Sequence, residues 1–87
     1  MTKDKYTEEL KQAIESLNPD AMLVDGHDEA LAGYDTRGRA IYRIEDIVRT
    51  LMERDGMTEE EAVEYFDFNI ECAYVGQFTP IYMWEEK

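Results

Sequence analysis

The stretch Ala30-Leu31-Ala32-Gly33-Tyr34-Asp35-Thr36-Arg37-Gly38-Arg39-Ala40-Ile41-Tyr42-Arg43-Ile44 decides the fold, because a strand–turn–strand pattern in it gives way to a helical one. Asp35-Thr36-Arg37-Gly38 is a turn signal between two short apolar and aromatic runs, which predicts an antiparallel hairpin of residues 30–35 and 39–43. From Ile44 the period changes. Ile44, Ile47, Val48, Leu51 and Met52 recur at steps of 3, 1, 3 and 1, the core-facing side of a helix over residues 44–55. Asp55-Gly56 ends that helix, with Gly56 suited to the left-handed capping position.

Upstream, Tyr6, Leu10, Ala13, Ile14 and Leu17 form the apolar stripe of an amphipathic helix over residues 5–17. Asn18-Pro19-Asp20 stops it, since proline cannot continue a helix and restrains the residue before it. Ala21-Met22-Leu23-Val24 is a strand or a buried turn. Downstream, Thr58 and Glu61 have the spacing of a capping box, and Met57 before the cap is placed to pack on Ala62. Ala62, Phe66, Ile70 and Ala73 then form the apolar side of a third helix, which Gly76 ends. Residues 79–84 read as a last strand, with Pro80 near its start marking an edge or a strand's first residue. The expected fold class is α+β, in the order α-β-β-α-α-β, with a small antiparallel sheet of about three strands and helices on one face. Residues 1–87 form a single domain, with no repeat, linker or low-complexity tract.

The 87 residues carry 21 acids against 9 bases, a formal charge of −12. The charge is uneven: residues 53–87 hold 10 acids and 2 bases, and residues 55–86 hold no lysine or arginine. Such a field repels nucleic acid and anionic lipid and attracts basic surfaces, so direct nucleic-acid binding and membrane association are not expected. The plain alternative is a charge that serves solubility. Cys72 is the only cysteine, which excludes an internal disulfide and a cysteine metal cage and fits a reducing cytoplasm. The acids around it in sequence disfavour a thiolate nucleophile. Asp25-Gly26-His27-Asp28-Glu29 matches no EF-hand spacing, and one histidine among acids is weak zinc evidence; it reads as a structural turn. Ser16 is the only serine and lies on a helix among acids. No catalytic residue, metal ligand or cofactor is assigned, and the chain reads as a non-enzymatic protein.

Glu60, Glu64, Asp67 and Glu71 recur at steps of 4, 3 and 4, which an α-helix gathers on one face. Like charges one turn apart repel, and an ordinary exposed face mixes signs to gain pairs. The ridge would span about 16 Å at 1.5 Å per residue, approaching the charge spacing of a nucleic-acid strand. It reads either as a solvated face or as a phosphate-mimicking surface for a basic groove. Tyr65 and Phe68 flank it while Phe66 points inward. Either other elements cover these two rings or, ringed by acids, they suit an arginine-rich partner. Asn69 falls on the apolar side of an α-helical projection and is expected to be buried, tied to a loop.

The run Leu51-Met52-Glu53-Arg54-Asp55-Gly56-Met57-Thr58-Glu59-Glu60-Glu61-Ala62-Val63-Glu64-Tyr65-Phe66-Asp67-Phe68-Asn69, with Ala73-Tyr74-Val75-Gly76 and Thr79-Pro80-Ile81, resembles a family of small proteins of bacteriophages, prophages and bacterial genomes. Asp25-Gly26, Ala30, Gly33, Ala40 and Tyr42 extend the likeness over roughly residues 20–82. The chain departs from the family pattern at His27, where an aromatic is expected. The resemblance implies no enzyme activity, and it sets the protein among mobile elements, in a host cytoplasm.

Together these readings give a non-enzymatic acidic protein that binds a basic, nucleic-acid-binding surface of a host protein. Partner-binding residues are Glu60, Glu64, Asp67, Glu71, Tyr65 and Phe68. A counter-defence inhibitor of the anti-CRISPR kind fits that description. The alternative is a structural or oligomerising module that uses Tyr74, Phe78, Tyr82, Trp84 and the last strand as a homodimer interface.

Overall fold

The computed structural model describes residues 3–85. Its elements are α1 (Lys3–Leu17), a 3₁₀ turn (Asp28–Ala30), β1 (Leu31–Tyr34), β2 (Ala40–Arg43), α2 (Ile44–Asp55), α3 (Glu59–Tyr65), a π-helical segment (Phe66–Glu71) and β3 (Ile81–Met83). The α+β reading and the three strands stand.

The hairpin forms around Asp35. Its Oδ1 accepts from the amides of Arg37 and Arg39 at 2.9 and 2.8 Å, and the backbone closes with Gly38 N–H donating to Asp35 O at 3.0 Å. Gly38 has φ of +79°, and an added Cβ would lie 2.7 Å from Asn18 Cβ. Only glycine allows both the left-handed turn and this approach to the end of α1. Asn18, buried at that end, donates from Nδ2 to Arg37 O at 3.1 Å, fastening helix to turn. β1 and β2 pair antiparallel, with a register shift between Leu31 and Gly33.

The strand order is β1-β2-β3, and β3 runs parallel to β2, with Tyr42 opposite Tyr82. The sheet is therefore mixed, not antiparallel throughout. The reason is the connection: between Arg43 and Ile81 the chain passes through α2 and α3, and a parallel pair needs a long helical crossover of this kind. Gly56 takes φ of +71° after α2, as expected of a helix-ending glycine.

The core joins Ile14 of α1, Val24 of the loop, Leu31 and Tyr42 of the sheet, Ile47 and Leu51 of α2, and Phe66 and Ile70 of the last helix. Tyr42 is fully buried, and its hydroxyl accepts from Val24 N–H at 2.9 Å. Burial pushes that phenol up to about 12. Phe66 meets Tyr82 edge-on, ring centroids 5.0 Å apart, which ties β3 to the last helix.

Candidate acidic–aromatic interface

The helix that carries the ridge starts with its full cap. Thr58 Oγ1 accepts from Glu61 N–H at 3.2 Å and Glu61 Oε1 accepts from Thr58 N–H at 2.9 Å. Hydrogen bonding of the Glu61 carboxylate to the Thr58 amide, and then to the Thr58 hydroxyl, holds that carboxyl below its ordinary range. Met57 packs against the core beside the cap. Glu59 and Glu60 lie in the first turn, where the helix dipole favours negative charge.

After Tyr65 the helix changes from α to π. The apolar residues explain why. Ala62, Phe66 and Ile70 are all buried and recur every four residues. A step of four drifts by about 40° in an α-helix. A π segment closes its hydrogen bonds one residue later, so it turns less per residue and keeps Ile70 over the core. Two expectations fail for this reason and because the helix ends early: Asn69 is exposed, not buried, and Ala73, beyond the last helical residue, is exposed as well.

Glu60, Glu64, Asp67 and Glu71 are all exposed. Glu60 and Glu64 lie on α3, but Asp67 and Glu71 fall in the π segment, so the α-helical phase expected to align all four carries only the first two. Asp67 shares a hollow with Glu60 and Glu64, and Glu71 does not line it. Among the described residues, no ion pair or side-chain hydrogen bond reaches any of the four carboxylates. The arginines nearest in sequence to the hairpin and α2 are engaged elsewhere: Arg39 with Asp35 at 2.6 Å, Arg43 with Glu85 at 3.0 Å, and Arg54 with Asp55 at 3.4 Å. Burial would raise the Asp35 carboxyl, but hydrogen bonds from the Arg39 amide and guanidinium and the Arg37 amide outweigh it and hold it below the ordinary range.

Phe68 is 70% exposed and Tyr65 40% exposed. No other element covers Phe68. It stands between two shallow hollows that share it as a wall. One, of about 410 Å³, runs over Met57, Tyr65 and Asn69 and is edged by Glu61 and Glu64. The other, of about 470 Å³, runs over Val63 and is edged by Glu59, Glu60, Glu64 and Asp67. An aromatic projection with apolar floor on either side and carboxylates around it can receive a cationic side chain and the alkyl stem that carries it. The sequence singled out Tyr65 and Phe68; it missed Glu59 and Val63, whose place on the same face follows from the i, i+4 step to Val63 and on to Asp67.

The Asp25–Glu29 segment is a turn pinned at both ends. Arg54 Nη1 donates to Gly26 O at 2.9 Å, and Lys11 pairs with Asp28 at 3.1 Å. His27 is buried at 5% exposure, with Nδ1 lacking a hydrogen-bond partner. Burial, then the Arg54 charge, pushes its imidazole below the ordinary value. A cleft of about 490 Å³ lies between this turn and α2, lined by Asp28, Glu29, Thr50 and Glu53 among others. Among the described residues no group of three or more histidines, cysteines or acids is arranged to hold a metal ion.

The residues of the alternative interface are divided. Tyr74, Phe78 and Tyr82 are partly covered, and Trp84 is 62% exposed. No described helix is long and apolar enough to cross a membrane. Comparison with protein-family models, curated proteins and solved structures finds no match to this chain.

Proposed function

We propose that this is a non-enzymatic protein that inhibits or modulates a partner by laying the Glu60–Glu71 ridge on that partner's basic, nucleic-acid-binding surface. The observation that carries the reading is the set of four exposed carboxylates, none drawn into an ion pair among the described residues, beside an aromatic ring at 70% exposure. One-signed charge of this kind attracts cations and repels nucleic acid itself, and Tyr65 and Phe68 supply the stacking surface that arginine favours. The resemblance of the Leu51–Asn69 run to phage and prophage proteins suits a partner in a bacterial host, a CRISPR-type effector being one candidate. The test is capture from host lysate on the immobilised protein, eluted with a salt gradient and identified by mass spectrometry. A nucleic-acid-binding protein released by salt, and absent when Glu60, Glu64, Asp67 and Glu71 are changed together to their amides, supports the reading. Equal capture by both proteins refutes it.

A second reading, a homodimer through the C-terminal strand, draws on the place of β3 at the sheet edge and on exposed Trp84. A monomer by light scattering at high concentration removes it.

A further inference from the structure

An apolar groove adjoins the acidic ridge, and Trp84, the residue after the last strand, builds one of its walls. It lies between α2 and α3, with Val48, Met52 and Val63 along it and Trp84 over it, and its volume is about 270 Å³. Val48 belongs to the core, but Met52 is 36% exposed and Trp84 62% exposed. Trp84 is held in place by its neighbour: Glu85 N–H donates to the carboxylate of Glu45 at 3.2 Å, and the Glu85 carboxylate accepts from Arg43 Nε at 3.0 Å. β3 fixes it from the other side through pairing of Met83 with Arg43. Two residues, Glu59 and Val63, line both this groove and the hollow beside Phe68. Groove and ridge are therefore one continuous surface, running from Phe68 over Val63 to Trp84.

We propose that this groove takes a large apolar side chain from a cationic segment of a protein partner, whose lysines and arginines meet Glu59, Glu60 and Glu64; the proposal rests on the ridge being a binding surface. Charge selects the occupant. A second copy would bring a second −12 chain and the same unneutralised acids against these ones, whereas a basic amphipathic segment satisfies the rim and the floor together. Arg49, at the groove's margin, is paired with Asp46 and does not reverse the sign of the rim. A nucleic-acid-mimicking ridge alone would bind any polycation of sufficient charge. With the groove, the protein distinguishes a partner carrying an apolar anchor among its cations.

The sole tryptophan of the chain stands in the groove, so its fluorescence reports occupancy directly. The full chain is titrated with two synthetic peptides of equal positive charge, an oligoarginine and an amphipathic helix former with leucines spaced among its arginines. The leucine peptide is expected to shift Trp84 emission to the blue and to bind roughly tenfold more tightly than oligoarginine. In Met52→Gln, an exchange at an exposed helix position, that advantage should fall severalfold while oligoarginine binding is unchanged. Salt-sensitive binding of both peptides with equal affinity and no emission shift would overturn the groove and leave the ridge standing. Failure of both peptides to bind would overturn both. A blue shift that grows with protein concentration alone would place a second copy in the groove and overturn the proposal.

Discussion

His27 shows how one residue can set the pH range of the fold. It is buried with an unpartnered Nδ1, and burial holds its imidazole neutral below the ordinary range. The unfolded chain takes up that proton near pH 6.5, so the unfolded state binds more protons from there downward and stability falls with pH. Asp35 and Glu61, whose carboxyls are depressed in the fold, act in a lower window: their support is present above the ordinary carboxyl value and is lost as they protonate. The midpoint of urea unfolding is expected to drop between pH 7.5 and 5.5 in the native chain and to change little in His27→Phe, which removes both the titration and the buried unpaired nitrogen. Tyr42 makes a second residue-scale prediction. Its hydroxyl is the acceptor for the Val24 amide inside the core, so Tyr42→Phe leaves a buried donor unpaired and should cost about 1–3 kcal/mol, read as a lowered melting temperature.

At the scale of elements, the hairpin turn and the capped helix are each sensitive to one small change. Gly38→Ala must distort a left-handed turn and displace Asn18; about 2–3 kcal/mol of destabilisation by chemical denaturation is expected. Thr58→Ala removes one half of the capping box and should cost about 1 kcal/mol. These elements were legible in the sequence because their signals are local: Asp35 to Gly38 for the turn, Thr58 and Glu61 for the cap, the 3-1-3-1 steps after Ile44 for α2. The parallel pairing of β3 was not, because strand direction depends on where the helical crossover returns the chain and not on residues 79–84 themselves. The π segment was not legible: Ala62, Phe66 and Ile70 at steps of four fit an ordinary amphipathic α-helical stripe, and only the packed core makes holding Ile70 inward worth a change of helix type. Asn69 was misplaced by assuming α geometry through that point. The same assumption underlay the ridge: helical phase holds for Glu60 and Glu64 on α3, while Asp67 and Glu71 lie in the π segment and are not aligned with them by α geometry. The absence of bases around all four was legible from composition.

For the whole molecule, the distribution of charge matters more than its sum. The arginines lie in residues 37–54, and Arg39, Arg43, Arg49 and Arg54 are drawn into ion pairs away from the ridge, while the face from Glu59 to Glu71 is left to solvent beside Phe68 and, across Val63, to Trp84. Under the proposed function, that asymmetry is what makes this face the one that meets a basic surface. The most direct measurement is the affinity for the salt-eluted partner at several ionic strengths, made with the native chain and with Glu60→Gln, Glu64→Gln, Asp67→Asn and Glu71→Gln combined. The native chain is expected to lose affinity steeply as salt rises, and the fourfold variant to bind at least tenfold more weakly at low salt with a flatter dependence. Equal affinities and equal salt dependence for the two proteins would contradict the account.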